Sequence, residues 1–174
     1  MKLESDTKIA FPREQVWNTY VEELEKLIEY LPNVSNIERK SREEAADVIK
    51  LVRLWTAKAT LPDVAKSIVK PNMMQWTDYA SWDHGKYRCD WRIESGALPK
   101  ALECGGSTLY EETSSGCLVS LRGNLTIHPE HVPGVPRILA RTIQPIVERV
   151  IVAGIEPNLR GIASGVEKYL KARS

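Results

Sequence analysis

The residue that most needs a chemical explanation is Arg53. Positions 49, 51, 53, 55 and 57 read Ile, Leu, Arg, Trp and Ala, while 48, 50, 52, 54, 56 and 58 read Val, Lys, Val, Leu, Thr and Lys. In a strand these sets face opposite ways, and the two lysines mark the second as the wet face. Arg53 is then turned inward. A guanidinium keeps its charge, and burying it unpaired costs several kcal/mol, so it requires a carboxylate, water or an anionic ligand group. Asp78 and Glu112 are the candidate internal partners. A structural ion pair, a ligand contact and a reversed face assignment all remain open for it.

Tyr110 and Thr108 form a second polar pair. A four-residue loop, Thr113-Ser114-Ser115-Gly116, sets Glu112 opposite Cys117. That register brings Tyr110, Thr108 and Gly106 onto the dry face of Val119, Leu121, Gly123, Leu125 and Ile127. A phenol and a hydroxyl among aliphatics suit a pocket wall. They can hydrogen-bond a ligand carbonyl or hydroxyl, each other, or a trapped water. Trp55 and Trp91 can stack on a flat ring or fill core. The candidate ligand-binding set is Arg53, Trp55, Trp91, Thr108 and Tyr110. A catalytic alternative uses Tyr110, Arg53, Asp78 or Glu112 to polarise a carbonyl and move protons. It requires two of them within about 3 Å of one reacting atom.

Other chemistry is sparse. The chain has no Walker A loop, GxGxxG, HExxH or GxSxG. His84 falls in a turn, His128 at a strand end and His131 in a link, too scattered for a metal. No cofactor and no metal are expected. Gly105-Gly106 reads as a β-bulge rather than a phosphate loop. Cys89, Cys104 and Cys117 cannot all pair and form no CxxC, so they read as small buried hydrophobes in a reducing compartment.

The 174 residues carry 24 Lys and Arg against 23 Asp and Glu, a net charge of +1, which argues against a nucleic-acid partner. At 43% hydrophobic the chain can bury a core. Five Trp and six Tyr against one Phe favour side chains that combine an apolar body with a polar tip. The first residues, Met1 to Asp6, lack an apolar h-region. The longest strongly apolar stretch, Val150 to Ile155, is far short of the ~20 residues that span a bilayer. A soluble cytoplasmic protein without integral membrane association is expected, as a monomer or homodimer.

The elements that must position these side chains follow from periodicity. Lys2 to Phe11 is a strand. Pro12 opens a helix with an apolar stripe of Val16, Tyr20, Leu24, Leu27, Ile28 and Leu31, and Pro32 ends it; Glu22, Glu23 and Glu25 take its wet side. Strands follow at Val34 to Lys40 and Ala46 to Ala59. Leu61 to Pro71 reads as a crossover with a helical turn around Val64 to Val69. Asn72 to Trp82 and Lys86 to Glu94 form a hairpin over Asp83-His84-Gly85. Its second arm puts Tyr87, Cys89, Trp91 and Ile93 on a dry face. In the first arm either Trp76 and Trp82, or Thr77 and Tyr79, point inward. A last hairpin joins Leu102 to Glu112 with Cys117 to His128. After the link Pro129 to Pro136, three- and four-residue apolar steps from Ile138 to Leu170 predict a helix to Arg173, kinked or divided at Pro145 and Pro157. Gly154, Gly161 and Gly165 are spaced to admit another backbone. No internal repeat appears, and at 174 residues the chain reads as one domain over 1–174.

Strand, helix, six strands and a long final helix give an α+β fold: a curved seven-stranded antiparallel sheet wrapped around the C-terminal helix. This order resembles the START-like, or SRPBCC, superfamily, the helix-grip fold of Bet v 1-like binders, lipid-transfer domains and polyketide cyclase/dehydrase-like proteins. The matching passages are Phe11-Pro12-Arg13-Glu14-Gln15-Val16-Trp17, Leu31-Pro32-Asn33-Val34, Trp76-Thr77-Asp78 and Ile155-Glu156-Pro157-Asn158-Leu159. The resemblance implies that a small hydrophobic molecule (lipid, polyketide or aromatic metabolite) is bound or carried between sheet and helix. A cyclase or dehydratase is the alternative, and a partner-protein module using the outer sheet face is a third. No motif transfers a catalytic residue.

Overall fold

A computed structural model describes residues 1–58, 75–96, 99–131 and 161–174. Strand β1 (Lys2–Ile9) leads into helix α1 (Arg13–Glu22) and a 3-10 stretch (Leu24–Tyr30). Strands β2 (Val34–Ala45), β3 (Val48–Ala57), β4 (Gln75–Asp83), β5 (Arg88–Ser95), β6 (Leu102–Thr113) and β7 (Gly116–Ile127) follow. A short 3-10 turn (Pro129–His131) comes next, and helix α2 covers 161–171. The seven strands form one curved antiparallel sheet in the order β1-β7-β6-β5-β4-β3-β2, with a C-terminal helix, as the periodicity predicts. The expected crossover turn near Val64, the kinks at Pro145 and Pro157, and most of the final apolar stripe lie outside the described residues.

Two element boundaries differ from the pattern-based expectation by more than three residues. Strand β2 runs to Ala45, five residues past Lys40, through the charged run Arg39 to Glu44. It is an edge strand, so this stretch buries no face and leaves no alternating apolar signal. Its two register shifts, at Val34/Asn36 and Arg39/Ser41, blur the pattern further. The second difference is the first helix, which is not continuous to Leu31.

Helix α1 stops because its terminal carbonyls are taken. Continuation would pair the N–H groups of Leu24, Glu25 and Lys26 with the carbonyls of Tyr20, Val21 and Glu22. Instead Arg53 Nη2 donates to Tyr20 O at 3.2 Å and Val21 O at 2.6 Å, and Arg39 Nη2 donates to Glu22 O at 3.0 Å. The Lys26 N–H turns to Glu23 O at 2.8 Å, and the tighter 3-10 stretch follows. Two arginines from the sheet thus cap a helix whose own last turn holds no basic residue.

Two apolar clusters make up the described core. The larger joins Val16, Trp17, Tyr20 and Val21 of α1 to Leu51, Trp55, Trp82 and Val119, and receives Ala163, Val166 and Tyr169 from α2. Trp17 is its hub, meeting Trp82, Tyr87 and Tyr110 edge-on at 5.3, 5.4 and 5.3 Å. The smaller cluster is Leu3, Cys104, Leu125 and Ile127. Gly165 admits the close approach its spacing suggests, since a Cβ there would lie 2.7 Å from Leu31 Cδ2. Gly161 has open space around it.

The β6–β7 turn has two residues, Ser114 and Ser115, because Thr113 and Gly116 already pair; the register Glu112 to Cys117 holds as expected. Gly116 has φ +141°, and a Cβ there would overlap the Ile9 carbonyl oxygen at the end of β1. Gly116→Ala is expected to lower stability by about 2 kcal/mol or more, from strain and displacement of β1. Urea unfolding checks this, and a loss under about 0.5 kcal/mol would contradict it.

Candidate functional site

The β3–β4 register settles which side of β4 faces in. Arg53 pairs with Asp78, Trp55 with Trp76 and Leu51 with Ala80. Trp76, Asp78 and Trp82 therefore share the concave face with Arg53, and Tyr79 faces out beneath the Arg92 guanidinium at 3.8 Å. Continued across β5, β6 and β7, the register puts Trp91, Gly106 and Gly123 in one row, and Thr108 with Leu121 in the next. All five sequence candidates stand on this one face.

Arg53 is fully buried and its principal partner is Glu25, with Nε donating to Oε1 at 2.8 Å. This corrects the placement of Glu25 on the wet side of the helix. The change to 3-10 geometry after Glu22 turns Glu25 toward the sheet, where Arg39 also binds it through Nε and Nη2, both at 2.9 Å. Burial pushes the Glu25 carboxyl up, but the bonds from Arg39 and Arg53 outweigh it and hold it at about 2. Neither carboxylate expected to pair with Arg53 does so. Glu112 is exposed and accepts from the Arg13 backbone N–H at 3.0 Å. Asp78 lies directly across the ladder yet forms no ion pair with Arg53.

The concave face keeps several polar atoms without protein partners among the described residues. They are Arg53 Nη1, Trp55 Nε1 and Trp82 Nε1, all buried. Burial raises Asp78 to about 7, and the Arg53 charge, already compensated by Glu25, pulls it only partly back. Beside it Trp55 stacks on Trp76 at 5.7 Å and 17°.

Trp91 is half-buried, and its indole N–H donates to Thr108 Oγ1 at 3.1 Å. Its ring lies over Gly123, where a Cβ would be 2.9 Å from Cη2. The expected bulge at Gly105-Gly106 is absent. Both residues pair in unbroken register with β5 and β7, and a Cβ on Gly106 would overlap the Arg122 carbonyl. Glycine is required there by the approach of neighbouring strands. Tyr110 is enclosed by Trp17, Tyr20 and Trp82, and burial raises its phenol well above the usual range.

Cys89, Cys104 and Cys117 are free and buried, and burial raises Cys104 and Cys117 to about 11. His84 lies 3.4 Å from Glu14, and His128 sits between Glu103 and Glu130. Among the described residues no three such ligands gather as a metal would require, and no helix is long and apolar enough to cross a membrane. A groove of about 460 Å³ runs over the opposite, convex face, lined in part by Ser41, Glu43, Lys50, Tyr79, Asp90 and Arg92.

No family model matches the chain, and no curated protein matches it by sequence. Solved structures do match. TTHA0849 from Thermus thermophilus is 21% identical with a TM-score of 0.67, over 100% of both chains. The Zhui aromatase/cyclase from Streptomyces sp. R1128 is 18% identical with a TM-score of 0.64, over 100% of this chain and 98% of that one. The chain shares their helix-grip fold. Norcoclaurine synthase from Thalictrum flavum, in complex with dopamine and hydroxybenzaldehyde, is 15% identical with a TM-score of 0.64, over 100% and 88%. The Arg53–Glu25 pair ties the first helix to the sheet, and Asp78 stands across the β3–β4 ladder from Arg53 on the concave face.

Two outcomes follow. Glu25→Ala, which strands Arg53 in the core, is expected to cost about 3–5 kcal/mol, and adding Arg53→Met to recover most of it. Because the Glu25 carboxyl titrates lower when folded, its contribution is complete above about pH 4.5 and fades toward pH 2. Denaturant unfolding of both variants from pH 2 to 7 checks the pair; an additive double variant would contradict it. Asp78 has the opposite sign. Its raised folded pKa makes stability fall as pH climbs from about 4 to about 7. Asp78→Asn should therefore raise Tm, and by more at pH 8 than at pH 5; an equal Tm at both pH values would contradict this.

Proposed function

We propose that the chain, as one domain over 1–174, binds or carries a small hydrophobic molecule against the concave face of its sheet. The observation that carries this reading is the middle of that face. Trp76, Asp78, Trp91 and Ile93 are only half-buried there, with Trp76 and Trp91 against the larger cluster and Trp91 and Ile93 against the smaller. Flat aromatic surface there adjoins buried donors without an acceptor among the described residues, Arg53 Nη1 and Trp55 Nε1. An apolar pocket with few placed polar groups is what a small-molecule site requires. Trp91, braced by Thr108 and seated on Gly123, presents the main stacking surface, with Arg53, Trp55 and Tyr110 buried on the same face. The START-like fold, and its occurrence in a synthase holding dopamine and hydroxybenzaldehyde, agree with this reading.

The cyclase or dehydratase alternative asks that two of Tyr110, Arg53, Asp78 and Glu112 converge on one atom. Arg53 is engaged by Glu25 and Glu112 by Arg13, while Tyr110 is enclosed by rings. That weighs toward binding without catalysis, and no cofactor is invoked. The reading extends to a cytoplasmic monomer or homodimer with no nucleic-acid partner.

Native mass spectrometry of freshly purified protein is expected to show a retained small molecule released by organic solvent. Trp91→Ala should weaken binding of a neutral aromatic probe about tenfold, through loss of its stacking surface. A protein that retains nothing and binds no member of a lipid and aromatic panel would overturn the proposal.

A further inference from the structure

The five tryptophans divide into two sets. Trp17, Trp55 and Trp82 are buried, whereas Trp76 and Trp91 are only half-buried although both stand on the inward face of the sheet. Leaving these two part-exposed forgoes apolar burial that the other three obtain. Each is nevertheless fixed in place. Trp91 donates its indole N–H to Thr108 and rests on Gly123, and Trp76 lies parallel to Trp55, which covers one of its faces. A ring already held rigid loses little freedom when a ligand stacks on it.

The strand registers set the distance between the two rings. Trp76 stands in the row of Ser95 and Trp91 in that of Ala80, with Asp78 and Ile93 in the row between. That is four residues along β4, about 13 Å at the ordinary rise of a strand. The rings also turn to opposite sides, Trp91 reaching Gly123 on β7 and Trp76 meeting Trp55 on β3. A molecule of one or two fused rings therefore touches one of them at a time.

We infer that Trp76 and Trp91 are two separate stacking stations of one ligand site, and that its ligand is an elongated molecule with a flat unsaturated group toward each end. The inference rests on the binding reading above and deepens it by naming the shape of the ligand. Trp91, the main surface, suffices for a ligand with one flat end; Trp76 adds its share only when a second end reaches it. The linking part of such a ligand crosses the row of Asp78 and Ile93, which is itself half-buried. Joining both ends in one molecule makes the second contact intramolecular, so affinity rises without any new surface on the protein. A link too short to span the stations gives no such gain.

The test compares 2-methoxynaphthalene with two double-ended probes: di-2-naphthyl ether, whose ends share one oxygen, and tetraethylene glycol bis(2-naphthyl) ether. By calorimetry on the wild-type chain the long probe should bind about tenfold tighter than 2-methoxynaphthalene, where two independent ends alone give only about twofold. Di-2-naphthyl ether should fall well short of the long probe. Trp76→Ala should bring the ratio of long probe to 2-methoxynaphthalene down to about two, and Trp76→Phe, which keeps a flat ring, should hold most of the gain. A ratio unchanged by Trp76→Ala overturns the inference, since a merely structural Trp76 would weaken both probes alike. A wild-type ratio of about two, or a short probe that matches the long one, also overturns it and leaves the binding reading intact; this comparison decides even where Trp76→Ala does not fold. If none of the three probes binds, the binding reading and the inference fall together.

Discussion

The buried pair of Arg53 and Glu25 is the constraint on which the arrangement of the concave face depends. A fully buried guanidinium must be compensated, and here one carboxylate and two helix carbonyls do so. The same bonds end α1, impose the tighter turn after Glu22 and bring Glu25 under the sheet. Arg39 completes the arrangement from the edge strand β2. One interaction thus fixes where the first helix stops and how it docks.

Its consequence for the face is indirect. By turning toward α1, Arg53 pairs with Glu25 and forms no ion pair with Asp78, its neighbour across the β3–β4 ladder. The aromatic residues follow a similar division. Trp17, Tyr20, Trp82 and Tyr110 lock α1 to the sheet through edge-on contacts, while Trp55, Trp76 and Trp91 face the middle of the concavity. Gly123 and Thr108 hold Trp91 in place, one by lacking a side chain and the other by accepting its indole N–H.

Much of this was legible in the residues. Alternation in β3 placed Arg53 and Trp55 inward, and the Ser114-Ser115 turn set the partners of Thr108 and Tyr110 correctly. What escaped reading depended on tertiary contact. Glu25 looks solvent-facing on an ideal helix, and only the helix's early end, caused by arginines 17 and more residues away, turns it inward. Strand β2 runs through charges because an edge buries no face. Gly105-Gly106 looked like a bulge because its actual reason, the approach of β7 on the next strand, is not local. The inward face of β4 rests on its pairing with β3, which no count along a single strand supplies. An Asp one residue after Trp76-Thr77 was a usable signal once Arg53 faced in, but it pointed to an ion pair that Glu25 had already taken.

The central claim, that a small molecule lies on the concave face against Trp55 and Trp91, is tested most directly by following the five tryptophan indole N–H signals in ¹H–¹⁵N spectra while 2-acetylnaphthalene is added. The account predicts that the Trp55 and Trp91 indole signals move together with the titration and that Trp17, held in the aromatic hub, stays in place. Spectra in which no indole responds, or in which only backbone signals of the convex groove around Tyr79 and Arg92 shift, would contradict it.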